Sequence, residues 1–186
     1  MLTRMFRYVY RRMSPIGYAR HIGVQVGDGC RLINVSFSTE PYMIKIGDHV
    51  SATATRFETH DGGVWVLRDE LPELDVIRPI EIGSNVFIGY GTIILPGSIV
   101  GDDVVIGAGS VVTGEIPTGS VAAGVPARVI KDVESYRLSS LERGVNTKAM
   151  TQSEKRDFMT ARGRGWPSKR NARSRLPTRR VISRLG

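Results

Sequence analysis

Cysteine is nearly missing. Cys30 stands alone among 186 residues, so no disulfide can close within the chain, and a reducing, cytoplasmic setting fits that usage. Its "VGDGCR" context reads as a small packing residue rather than a nucleophile. Long apolar runs are absent too: a stretch such as "SIVGDDVVIGAGSVV" is broken every few residues by Gly, Asp or Ser, and no segment is fit to span a bilayer. Histidine occurs three times, at 21, 49 and 60, which limits imidazole chemistry to few places. Acidic residues are scarce in one region only. Residues 148–186 hold 12 of the 26 Lys and Arg but 2 of the 18 Asp and Glu, leaving 14 basic against 16 acidic residues elsewhere. The pI of about 10.1 therefore belongs to the tail, not to the domain.

The N-terminus, "MLTRMFRYVYRRMSP", lacks a continuous hydrophobic core and a small-residue cleavage site, so it does not read as a signal peptide. As a short basic amphipathic helix it serves either as a lid over the first end of the domain or as a contact to anionic lipid. Residues 1–20 are accordingly expected as a helical cap, 132–147 as a helical extension, and 148–186 as a basic tail too polar to repay the entropy of ordering. That tail could tether the protein loosely to anionic lipid or polysaccharide. It carries no recognised nucleic-acid motif, so no specific nucleic-acid partner is expected.

What is there is a repeat. From Ile82 the chain cuts into sixes, "IGSNVF", "IGYGTI", "ILPGSI", "VGDDVV", "IGAGSV" and "VTGEIP", each opening on Ile or Val. Six matches at one phase outrank local propensity as a fold signal. A unit this short suits a strand and a corner, with one apolar side chain turned inward, and glycine at position two is expected to let the backbone bend. Three units close a coil of 18 residues, and coils stack as parallel strands about 4.8 Å apart. Ile82 then lies over Val100, Ile88 over Ile106 and Ile94 over Val112, each side chain worth about 1.5–3 kcal/mol when buried.

Earlier repeats are looser. "VGDGCR" and "IGDHVS" begin 20 residues apart, at Val26 and Ile46, so the phase slips by two around "STEPYM". His49 falls at a corner, where "IGSNVF" carries Asn, and reads as solvated; His21 precedes the repeat and receives no role. Spacing does not fix the hand of the coil.

The segment "IGSNVFIGYGTIILPGSIVGDDVVIGAGSVVTGEIPTGSVAAGVPARVIK" resembles the hexapeptide-repeat acyltransferases, and "THDGGVWV" narrows the resemblance to polysaccharide or capsule O-acetyltransferases. The likeness covers about residues 1–137 and is silent on the tail. It implies an all-β fold, a left-handed parallel β-helix over 21–131, a homotrimer, acetyl-CoA as donor, and active sites in clefts between subunits. The segment 58–79 then reads as a loop leaving the coil to wall a pocket.

By that resemblance His60 is the catalytic base, since imidazole can take a hydroxyl proton while the oxygen attacks the thioester. Asp61, Glu58 or a main-chain carbonyl could orient it; the sequence leaves the three open, and Asp61 is carried with His60 as a catalytic candidate. Gly62 and Gly63 permit the turn. Trp65 either stacks on an acceptor sugar or packs the loop on a neighbour, and "LRDELPELDVIRP" reads as a protruding arm. Tyr90 and Ala108, 18 apart, are placed along the pantetheine. Thr113 and Gly114 match a corner where the family often has a basic residue, and Arg128 and Lys131 supply positive charge for CoA phosphates. Pro126 fixes the chain as it leaves the last coil.

The function expected is transfer of acetyl to a sugar hydroxyl of a surface polysaccharide or its precursor. N-acetylation of an amino sugar and a non-catalytic β-helix scaffold are the alternatives. No metal is expected, because the spacing of the three histidines does not resemble the zinc enzymes of this fold. Localisation is expected in the cytoplasm, at the inner face of the membrane if the basic termini touch lipid.

Overall fold

Two-residue strands separated by tight corners build this chain, because every hexapeptide spends its remaining residues on turning. The computed structural model describes residues 9–163. The polypeptide divides into two compact units, Met1–Glu142 and Arg143–Gly186.

The first unit is a left-handed parallel β-helix. Its first coil holds β1 (Gln25–Val26), β2 (Arg31–Ile33) and β3 (Ser36–Phe37); its second holds β4 (Ile44–Ile46), β5 (Ser51–Thr53) and β6 (Arg56–Phe57). The third comprises β7 (Ile80–Ile82), β8 (Phe87–Ile88) and β9 (Ile93–Ile94); the fourth, β10 (Ile99–Val100), β11 (Val105–Ile106) and β12 (Val111–Val112). The last is β13 (Glu115–Ile116) and β14 (Ser120–Gly124), after which β15 (Ala127–Asp132) returns antiparallel on β14. Three walls result, with strand orders β1-β4-β7-β10-β13, β15-β14-β11-β8-β5-β2 and β12-β9-β6-β3.

The expected columns superimpose: Ile82 pairs with Val100, Ile88 with Ile106 and Ile94 with Val112. Val26 opposes Ile46, and a 3₁₀ turn over Pro41–Met43 absorbs the two-residue slip. Ile46 opposes Ile82, so the second coil carries an 18-residue insertion.

Three expectations about the repeat need correction. Two side chains per unit point inward rather than one: besides the opening Ile or Val, position five is buried at Val86, Thr92, Ser98, Val104 and Ser110. The buried hydroxyls are satisfied by carbonyls of the corners, as in Thr92 to Gly89 (2.8 Å) and Ser110 to Gly107 (2.7 Å). "VTGEIP" is not a full unit, because Ile116 opens the next wall four residues after Val112 and pairs with Val100. The position-two glycines do not serve bending. A Cβ on Gly83 would come within 2.7 Å of the Gly101 carbonyl carbon on the next coil, and Gly47 meets Gly83 in the same way. Left-handed backbone falls at position four instead, on Asn85, Gly91, Gly97, Asp103 and Gly109.

Residues 9–13 are helical and lead into α1 (Pro15–His21), whose Ala19 is fully buried in the core. Arg20 pins this helix to the first coil by donating to the carbonyls of Val26 and Gly27. His49 occupies a left-handed corner and shares a 2.8 Å hydrogen bond between its Nδ1 and Asn85 Oδ1. Cys30 is half-buried, with Sγ 3.2 Å from the Gly47 carbonyl. Beyond β15 runs α2 (Val133–Arg143), capped by Asp132, which accepts from the Ser135 N–H at 2.7 Å.

In the second unit, α3 (Gln152–Gly163) corrects the expectation that residues 148–186 lack order. A reciprocal cap starts it: Thr151 N–H donates to Glu154 at 2.7 Å, and Glu154 N–H donates to Thr151 Oγ1. The remainder of that expectation, residues 164–186, lies outside the described residues. No helix among the described residues is long and apolar enough to cross a membrane.

Candidate active site

His60 leaves the coil just after β6, at the corner between the third and first walls. The chain there is extended and zipped at its base: His60 forms a bridge with Ile77, Asp61 N–H donates to Val76 and Arg78 N–H to Thr59. The 18-residue insertion thus projects as an arm on a two-stranded stem. Within it Arg68 donates to the carbonyls of Pro72 and Leu74 and pairs with Asp75 at 2.8 Å.

The imidazole's partner comes from the coil below. His60 Nδ1 lies 3.1 Å from Glu40 Oε2, and Thr39 Oγ1 stands 3.4 Å from the same nitrogen. Glu40 also accepts from Thr39 Oγ1 at 2.5 Å and from Thr59 Oγ1 at 2.7 Å. Thr59 is wholly buried and completes its bonding through Ser38, whose Oγ lies 2.5 Å away and accepts from Thr59 N–H. The Thr39 and Thr59 hydroxyls, with His60 adding to them against the opposing effect of burial, pull the Glu40 carboxyl from 4.5 down to about 2. An ionised carboxylate only accepts. Nδ1 therefore carries the hydrogen toward Glu40, and Nε2 keeps its lone pair for an incoming proton.

Of the candidates for orienting His60, the structure brings none of the named side chains to it. Asp61 accepts from Gly63 N–H at 2.8 Å and starts the 3₁₀ turn Gly62–Leu67, and Glu58 pairs with Arg56. Glu40 was missed, although the two-residue slip at "STEPYM" marked its coil as irregular. His60, Glu40, Thr39, Asp61, Val64, Trp65, Arg68, Asp75 and Ile77 line a cavity of about 300 Å³. Trp65 is 78% exposed at its rim and packs on little within its own chain.

The donor candidates divide between two edges. Tyr90 and Ala108 sit at the corner between the second and third walls, stacked on consecutive coils, with Gly109 N–H donating to the Tyr90 carbonyl at 2.8 Å. Both are exposed, and a Cβ on Gly91 or Gly109 would meet nothing within 4 Å, so this edge is an open backbone track. Thr113 and Gly114 share the His60 edge two coils higher, about 10 Å along the axis. Gly114 has φ +88°, a conformation in which a lysine would be strained. Arg128 folds onto its own Ala127 carbonyl, and Lys131 lies 5.0 Å from the Tyr136 ring centre. Neither is brought to His60 within one chain. Among the described residues no three of His, Cys, Asp or Glu converge as metal ligands.

Comparison with known proteins agrees with the fold. Residues 79–114 match the family described as Bacterial transferase hexapeptide (six repeats). Protein CapG of Staphylococcus aureus is 43% identical over 162 residues, spanning 85% of this chain and 94% of CapG. WbbJ of Escherichia coli K12, named for O-acetyl transfer in lipopolysaccharide biosynthesis, is 52% identical over 117 residues, 58% of this chain and 57% of its own. A galactoside acetyltransferase solved in complex with coenzyme A superimposes with a TM-score of 0.53 at 26% identity, over 73% of this chain and 80% of that one. With the coil register, the insertion and near full-length similarity to CapG in hand, the chain belongs to the hexapeptide-repeat acyltransferases.

Proposed function

We propose that the protein transfers acetyl from acetyl-CoA to a sugar hydroxyl of a surface polysaccharide or its precursor, with His60 as the base. The observation that carries this reading is the Glu40–His60 pair in a cavity walled by the inserted arm. The acceptor hydroxyl approaches Nε2. As its oxygen forms a bond to the thioester carbonyl carbon, the proton passes to His60; collapse of the tetrahedral species breaks the C–S bond, and the imidazolium returns the proton to the departing thiolate. Glu40 holds the ring and offsets its transient charge. No acyl-enzyme is required. Similarity to WbbJ, named for lipopolysaccharide biosynthesis, supports the polysaccharide assignment, and the coenzyme A complex of the galactoside acetyltransferase supports the donor.

The division of candidates over two edges supports a homotrimer. Tyr90 and Ala108 of one subunit, set against the His60 edge of its neighbour, complete a site that a single chain leaves open. Arg128 and Lys131 stand ready at β15 for CoA phosphates, and Trp65 for the sugar. Contact of the basic termini with the inner face of the membrane belongs to the same reading.

The test is release of CoA thiol with hydroxyl and amino sugars matched in structure. His60→Ala should lower the acceptor-dependent rate by about 10² to 10⁴ while leaving acetyl-CoA affinity in place. Equal rates for wild type and variant would end the proposal, and a preference for the amine would convert it to N-acetylation.

A further inference from the structure

A second and larger cavity, about 670 Å³, lies between the N-terminal helical segment and the first coil. Leu32 and Val35, both buried, and the half-buried Phe37 form its floor, with Ile33 beside them. Among the described residues its polar groups are Arg11, Arg12, Tyr18 and Asn34, and no carboxylate lines it. Arg20, Arg56, Arg68 and Arg137 each face an acidic partner, whereas Arg31 and Arg128, like the arginines here, do not. Here Arg11 is fixed by one bond, Nη2 to the Val35 carbonyl at 2.8 Å, and makes no further hydrogen bond or ion pair among the described residues. The Arg12 guanidinium, the Tyr18 hydroxyl and the Asn34 amide make no hydrogen bond or ion pair among the described residues. Two exposed cations with no acidic partner at the rim of an apolar floor, in a cavity of ligand size, suit an anionic amphiphile. The floor offers almost nothing to read the edge of a nucleobase, and exposed Val9 and Met13 extend the apolar character along the same helical segment.

The place matters as much as the composition. Phe37 ends β3 in this cavity, and Thr39 and Glu40 line the His60 cavity, so Ser38 alone separates the two linings along the chain, a span of at most about 7 Å. We infer that this cavity holds the phosphate and the first part of the aliphatic chain of a lipid phosphate or diphosphate, whose sugar then reaches His60. The inference rests on the acetyltransferase reading and names the class of its acceptor: a sugar carried on a lipid phosphate.

The test is calorimetric titration of farnesyl diphosphate into the full chain in saturating CoA, which keeps the probe's diphosphate from competing at the donor site. Wild type should bind it saturably. Arg12→Gln should weaken binding about tenfold and the double variant Arg11→Gln/Arg12→Gln further, with circular dichroism and CoA affinity unchanged. Ile33→Asp, which sets a carboxylate at the exposed rim, should abolish binding. UDP and inorganic pyrophosphate, titrated in parallel, should bind more weakly than farnesyl diphosphate. Equal affinity for UDP would make the carried group a nucleoside, equal affinity for pyrophosphate would remove the floor from the account, and either result overturns the lipid assignment. Binding that is absent in wild type, or indifferent to all three variants, overturns the site itself. Failure to bind CoA, by contrast, would defeat the acetyltransferase reading whatever the farnesyl probe does.

Discussion

Glu40 decides which nitrogen of His60 is available. A carboxylate held by two threonine hydroxyls cannot donate, whereas an amide in its place can, so Glu40→Gln releases the tautomer. We predict a fall in kcat on the order of 10² for Glu40→Gln with KM for acetyl-CoA little changed, measured by steady-state thiol release. The same carboxyl links stability to pH. Its value drops from 4.5 to about 2 on folding, so the stabilisation is complete above the unfolded value and is lost as pH falls toward 2. Urea midpoints of wild type and Glu40→Gln should therefore differ at pH 5 and converge as pH falls between about 4.5 and 2. The motif singled out His60 as the candidate base, whereas its hydrogen-bond partner was not legible. Asp61 is its neighbour in the chain, but the Asp61 carboxylate turns to Gly63 and caps the 3₁₀ turn. Glu40 is 20 residues away in sequence and adjacent only once the coils stack.

At the level of the coil, the repeat's phase predicted the columns, while the reason for its glycines emerged only from the spacing of neighbouring coils. Gly83→Ala places a methyl against backbone that cannot move aside, and should cost about 1–3 kcal/mol in thermal or denaturant unfolding. Gly62→Ala, with nothing within 4 Å and no left-handed φ, should leave stability nearly unchanged and serves as the control. The missed helix α3 has a different cause. Composition averaged over the basic tail hid a local "TQSE" signature, although those four residues satisfy the first turn's N–H groups on their own account. Thr151→Ala should remove about 1 kcal/mol of helix stability, read as lost ellipticity.

For the whole molecule, the proposed trimer makes a sharper demand than mass alone. If the base comes from one chain and the pantetheine track from another, His60→Ala and Ala108→Trp are each inactive for different reasons. Refolding them together should restore about a quarter of wild-type activity by random assortment of interfaces. No recovery, with trimers shown by light scattering, would mean that each site lies within a single chain. Finally, β15 runs against the grain of every strand beneath it. A parallel solenoid is a template for unlimited end-to-end growth, since each exposed rung offers the hydrogen-bonding rhythm of the next. By reversing its final strand, with Arg128 on the outside, the chain covers the last parallel edge of one wall and withdraws it from an approaching copy.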